Sequence, residues 1–505
     1  MHRTSCFSDL CTNHNVKGLN MRKHLTNSFV LAITAILSMG VTPLCQGNPS
    51  AGPEHPDSSC CTKNAAPRLT VGGYGEAVYR YNFYSDNVFR YSRAESYKDS
   101  KGHGLVDLPH AVIMMGYDFG KGWSVGMEIE FEHGGVESAV EIETEETGEY
   151  EKELERGGEV ALEQFWVQKS FRPWLNLRMG HIVVPVGGTN KSHLPTEFFG
   201  VYRPEGENSI LPCTWHETGI SLWGRHHDWR YELMLLPALN STMFNISGWA
   251  NGASASPYEF RPANRLALAA RIDNSSIKGL RLGVSGYVGN CFNNDIVTEE
   301  KSSKYKDVKG TVVIGAFDFL YRHGRLVMRG NADYGHLADA DLVSTYNTRL
   351  SHASGSPYPH THVGEAAYAV GLEAGVNLLC RKATENGKAL YLFARYDRYD
   401  SYIPAPLMQD YGWSDRQCVT AGLNYFPMPQ IAVKAECGCR LLNAQYNSEP
   451  FAAMGITWTT PTSPWPVRSA LSAAQTAFSA RPTTTRATTA PTCLACSPLA
   501  PAPPQ

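Results

Sequence analysis

Between residues 69 and 458, apolar and polar residues alternate in sixteen short segments, joined in turn by a tight connection and a long polar one. Period-two alternation places successive side chains on opposite faces of a strand, so each segment offers a sheet one apolar and one polar face. The clearest case is 123–132, with Trp123, Val125, Met127, Ile129 and Phe131 on one face and Ser124, Gly126, Glu128, Glu130 and Glu132 on the other. A soluble sandwich also alternates. The connections and the targeting signal therefore have to separate a sandwich from a membrane barrel.

The other segments are 71–83, 111–119, 160–171, 175–180, 219–224, 229–235, 265–272, 280–289, 311–321, 325–335, 365–378, 389–399, 416–425, 431–441 and 450–458. Tight connections such as Gly120-Lys121-Gly122, Arg172-Pro173-Trp174, His226-His227-Asp228 and Arg322-His323-Gly324 carry turn-forming residues. The intervening connections, 134–159, 186–218, 237–264 and 336–364, are much longer. Short turns on one side and long loops on the other are what a transmembrane barrel requires when both termini lie in the periplasm. The expected fold is all-β, a transmembrane antiparallel β-barrel of about 16 strands in the bacterial outer membrane.

Residues 1–47 read as a presequence. Met21-Arg22-Lys23-His24 and the apolar run 29–41 have the form of a secretory signal, with translation starting at Met21 and cleavage near Gly47. A linker, 48–68, precedes the barrel at 69–458. The tail 459–505 has nine prolines and no Asp, Glu or Lys, a composition unable to supply a strand. Either it is a disordered extension, or a change of reading frame cuts the last strand short near Trp458. The thirteen cysteines are scattered; Cys437 and Cys439, two apart on one strand face, are poorly placed to pair.

A barrel of this size encloses a lumen, so function turns on what lines and narrows it. The polar strand faces supply Arg80, Arg178, Arg230, Arg265, Arg271, Arg281, Arg325, Arg329, Arg395, Lys434 and Arg440. Against them stand Glu76, Glu128, Glu130, Glu232, Asp318, Asp333, Glu365, Glu373, Asp397 and Glu436. The near balance gives no one-signed track. Two arrangements remain open: opposed charged walls, or lumenal residues paired with one another.

The loop 186–217 is the candidate constriction, because Phe198 and Phe199 need cover from water and Arg203, Glu205 and Glu207 could define an eyelet. An extracellular cap or a subunit latch is the alternative. Nine glutamates between 141 and 159 read as a solvated, mobile loop, and His352, His360 and His362 as exposed polar residues rather than metal ligands. No nucleophile motif, phosphate loop or metalloprotease helix occurs, so neither an enzyme nor a cofactor is expected.

Gly72-Gly73-Tyr74-Gly75-Glu76-Ala77, Arg178-Met179-Gly180-His181 running into Val184-Pro185-Val186-Gly187, and the stretch from His193-Leu194-Pro195 through Arg203-Pro204-Glu205 to Glu217-Thr218-Gly219 resemble the outer-membrane porins related to phosphate-selective porins O and P. The resemblance implies a sixteen-stranded barrel, commonly a homotrimer, with loops folded into the pore. The arginine ladder of the phosphate-selective members has no counterpart here. The expected function is a water-filled channel for passive diffusion of small polar solutes and ions, with lipid and lipopolysaccharide as surroundings and no role for nucleic acid. A substrate-specific channel for phosphate, another anion or an oligosaccharide, and a plugged structural or adhesive barrel, are the alternatives.

Overall fold

A computed structural model describes residues 68–460, apart from 91–93, 98, 134–137, 144–150, 157–159, 257, 259, 297, 351–357, 380–383, 385–386 and 444–447. The presequence, the linker up to residue 67, the tail from 461 and His352 lie outside the described residues.

The strands are β1 (Arg68–Asn82), β2 (His103–Asp107), β3 (His110–Gly120), β4 (Trp123–Glu132), β5 (Ser138–Glu143), β6 (Glu151–Arg156), β7 (Val160–Arg172), β8 (Leu175–Val183), β9 (His216–His226) and β10 (Trp229–Pro237). They continue as β11 (Leu266–Asn274), β12 (Leu280–Asn290), β13 (Thr311–His323), β14 (Leu326–Leu337), β15 (Ala366–Asn377), β16 (Ala389–Ile403), β17 (Asp415–Met428), β18 (Ile431–Leu442) and β19 (Ser448–Thr459). Seventeen of them form one antiparallel sheet that closes on itself through β1 and β19, from Tyr74 opposite Thr459 to Asn82 opposite Phe451. Because β2 and β3 both pair with β1, they make one stave, and the barrel has sixteen. The break falls at Leu108-Pro109, where proline has no N–H to give the ladder.

The closing strand runs to Thr459, opposite Tyr74, and the proline-rich tail follows it. One sequence expectation needs amending. The glutamate-rich connection is not loop throughout: β5 and β6 pair as a separate two-stranded sheet within it.

The outward face is apolar around the whole barrel, with Val71, Ile113, Phe165, Leu233, Val284, Phe317, Leu392 and Ile456 among the residues exposed on it. At the turn end Phe119, Trp123, Phe171, Trp174, Trp229, Tyr425 and Trp458 form an aromatic girdle. An apolar belt with such a girdle, on a closed barrel with an even number of staves, is the design of a protein spanning the bacterial outer membrane, short turns toward the periplasm. No helix among the described residues is long and apolar enough to cross a membrane.

The interior is not uniformly polar. At the loop end, inward residues of β10 to β15, among them Met234, Ala267, Ala269, Val312 and Leu337, meet Phe244, Trp249, Phe292, Val343 and Tyr346 from the long loops in a buried apolar cluster. Trp249 is fully buried and donates its indole N–H to the Gly364 carbonyl at 3.0 Å. A Cβ on Gly335 of β14 would lie 2.1 Å from that indole, so the bare glycine is what lets the ring seat against the wall. One side of the lumen is therefore closed over by packed side chains rather than by water.

Candidate functional site

The connection from β8 to β9, residues 184–215, folds into the barrel and crosses it. Val184 and Val186 join the apolar cluster, and Leu194 packs against Tyr74, Val112 and Met114 on the near wall. Phe198 and Phe199 are each 1% exposed; the Phe199 ring stacks on Phe393 of β16 at 5.6 Å. Val201 reaches Val78 of β1 and Ala453 of β19.

Lys434 of β18 pins the crossing. Its ammonium donates to the carbonyl oxygens of Pro195, of Phe198 at 3.1 Å and of Gly200 at 2.8 Å, and sits 4.3 Å from the Phe198 ring centroid. Asn424 of β17 donates to the Phe199 carbonyl. The backbone N–H of Val201 donates to Glu436 at 2.9 Å. These contacts are on inward faces of staves opposite β8 and β9, which places the loop inside the lumen.

The roles expected within the loop are redistributed. Phe198 and Phe199 anchor it to the wall. Arg203 donates to Thr214 Oγ1 at 2.9 Å, a brace inside the loop. Glu207 accepts the backbone N–H groups of Gly188 and Asn190, each at 2.9 Å, another internal brace; burial raises its carboxyl above the ordinary range despite these donors. Glu205, at the start of the short helix Glu205–Ile210, pairs with Arg440 of β18 (Nε to Oε2 3.0 Å) and accepts from the Tyr399 hydroxyl at 3.1 Å. None of the five lines the gap left beside the loop.

That gap, about 30 Å³, runs between Gly188, Thr189, Ser192 and Pro204 of the loop and Arg281, Asp318, Arg329, Glu373, Arg395 and Asp397 of the wall. Three of the arginines expected from sequence thus stand together here. They are paired: Arg281 with Asp318 at 2.7 Å, Arg329 with Glu373 at 2.9 Å, and Arg395 with Asp397 at 2.7 Å. Arg271, just behind, bonds Asp273 at 2.9 Å, Asp318 at 2.6 Å and the Gly187 carbonyl at 2.9 Å.

The remaining expected lumenal residues are dispersed. Arg178 lies toward the turn end, its guanidinium 4.6 Å from the Trp166 ring and 5.5 Å from Trp223, and Arg230 pairs with Glu232 at 3.1 Å on the same side. Arg80, toward the loop end, lies 4.3 Å over the Phe451 ring. Glu128 and Glu130 face inward from β4; Gln164 donates to Glu128, and His110 Nδ1 lies 2.5 Å from Glu130. Arg265 and Arg325 do not join them: each is exposed at a strand end, Arg265 before β11 and Arg325 in the turn before β14. The arrangement is one of paired charges rather than two bare walls.

Alternation misses Glu163. A bulge in β7 opposite Glu128 and Ile129 turns both Glu163 and Gln164 inward, and Glu163 is fully buried. The broken rhythm at Leu162-Glu163-Gln164-Phe165 is the signal of it in the sequence.

The Glu205 pair makes the loop acid-sensitive. Burial alone would raise this carboxyl, but Arg440 outweighs it and holds it at about 2 against an ordinary 4.5. A depressed carboxylate stabilises the folded form above its unfolded value and ceases to do so as pH falls through its folded value. The contribution, on the order of 3 kcal/mol, is complete above about 4.5 and is lost toward about 2. Channel current recorded across that window should show rising loop noise on acidification, and Glu205→Gln should show the noise already at neutral pH.

No family model matches the chain. A protein of Aquifex aeolicus (strain VF5), described only as uncharacterized, is 25% identical over 377 residues, 73% of this chain and 74% of that protein. Among solved structures, the anion-selective porin from Comamonas acidovorans is similar at TM-score 0.45 and 9% identity, covering 78% of this chain and all of that one. The outer membrane channel DcaP of Acinetobacter baumannii gives TM-score 0.44 at 10% identity, over 78% of this chain and 98% of that one. Salmonella typhi OmpF in complex with daunomycin gives 0.45 at 9%, over 78% and 97%.

Proposed function

We propose that this chain is a passive porin: a barrel that lets small polar solutes and ions diffuse through a passage narrowed by its own 184–215 loop. The observation that carries this reading is the loop pinned across the lumen by Lys434, beside a gap walled by Arg281, Arg329 and Arg395 with their carboxylate partners. Paired charges of both signs present donors and acceptors to water and polar solutes without a net potential for one ion. This argues for weak selectivity and against a phosphate ladder, which needs arginines free of carboxylates. As in the expectation from sequence, the proposal includes a homotrimer set in lipid and lipopolysaccharide.

A second reading has one observation in its favour. The apolar cluster around Trp249 closes part of the loop end, as a plugged structural or adhesive barrel would require. Single-channel recording of the full chain in a planar bilayer separates the two, since a plugged barrel gives no conductance steps.

A further inference from the structure

Beside the constriction, away from the arginine-lined gap, Glu128 of β4, Glu163 of β7 and His193 of the loop come together. One carboxylate oxygen from each glutamate and one imidazole nitrogen lie within 4.8 Å of one another, and all three residues are buried. Glu163 has the Thr214 hydroxyl beside it and Glu128 accepts from Gln164, yet among the described residues no cation forms an ion pair with either carboxylate, and the buried Tyr74 hydroxyl beside them has no partner. Buried carboxylates are costly unless a counter-charge compensates them.

The cation already present does not suffice. Arg203 acts on both Glu163 and Glu130 electrostatically, yet its Nη1 is bound to Thr214 Oγ1 and it forms no ion pair with Glu163. His193 completes a donor set. Its Nδ1 lies 3.1 Å from the Asn190 carbonyl, which can only accept, so Nδ1 carries the proton and the neutral ring keeps its lone pair on Nε2. A carbonyl orienting the ring from behind is the usual support of a metal-binding histidine.

We infer that Glu128, Glu163 and His193 form a divalent-cation site, suited to Zn²⁺, that ties the constriction loop to the β4–β7 wall. One imidazole and two carboxylates are a zinc-type donor set, and ligand bonds of about 2.0–2.2 Å require only a small contraction of the cluster. The site supplies on this wall the anchor that Lys434 supplies on the other. Its binding does not depend on whether the barrel conducts.

The test is calorimetric titration of the full-length, detergent-folded protein with Zn²⁺ after EDTA dialysis, with folding checked by heat-modifiable mobility. One Zn²⁺ per chain is expected, with affinity lowered by about tenfold or more in Glu163→Gln and in His193→Gln. His110→Gln, in the neighbouring His110, Glu130 and Glu132 group, should keep it. No binding by the wild type, equal binding by Glu163→Gln and His193→Gln, or loss in His110→Gln instead would each overturn the assignment. Should the two variants fail to fold, hydrogen exchange of the wild type decides: Zn²⁺ should slow exchange across 188–204, and unchanged exchange would overturn the site.

Discussion

Replacing residues 194–204 with a Gly/Ser segment of equal length is expected to raise single-channel conductance several-fold while leaving the barrel closed. The replacement removes Leu194, Phe198, Phe199 and Val201, all at most 9% exposed and all packed on the wall. Each such side chain contributes about 1.5–3 kcal/mol when fully buried, so about 6–12 kcal/mol of anchoring disappears. Glycine and serine offer nothing apolar to replace it and have a larger conformational entropy to lose on ordering. The wall does not depend on these residues for its ladder, because every stave is hydrogen-bonded to both neighbours. The loop should leave the lumen and the passage widen toward the bore of the barrel. Conductance unchanged in a correctly folded variant would show that the loop does not limit flow.

Lys434→Met tests the same anchor from the wall side. The ammonium satisfies three loop carbonyls at once, those of Pro195, Phe198 and Gly200, and methionine fills similar space with no donor. Charge-assisted hydrogen bonds contribute about 1.5–3 kcal/mol each, and carbonyls left buried without a donor cost about 1–3 kcal/mol. Water entering the lumen relieves part of that cost, so a net loss of about 3–5 kcal/mol in loop anchoring is reasonable. The expected result is faster hydrogen exchange at 195–201 and frequent transitions to a larger conductance, with barrel mobility on gels unchanged. Exchange as slow as in the wild type would mean that the aromatic anchors hold the loop without the lysine.

The barrel was legible because the sheet has to satisfy lipid and lumen at once, and that demand is written residue by residue in the alternation. Trp123–Glu132 falls on the observed strand at both ends. The alternation fails where another constraint intervenes. Pro109 splits the second stave and leaves β2 too short to read, and the β7 bulge hides Glu163. The inward loop was legible from its length and its paired phenylalanines. The duties of its charges were not, since Glu205 meets Arg440 at a separation of 235 residues that only closure of the barrel brings together. The apolar cluster inside the loop end was hidden for a related reason. Its wall is built partly of Ala267, Ala269, Ala367 and Ala369, whose small side chains mark neither face until Trp249 and Phe244 are packed on them.

The most direct measurement is single-channel conductance of the full-length protein in a planar bilayer under a KCl gradient, with phosphate titrated in. A passive, loop-narrowed porin gives stepwise openings, a reversal potential near zero and no block by phosphate. A folded, heat-modifiable barrel that shows no steps would contradict the channel reading, and steps blocked by phosphate would contradict its weak selectivity.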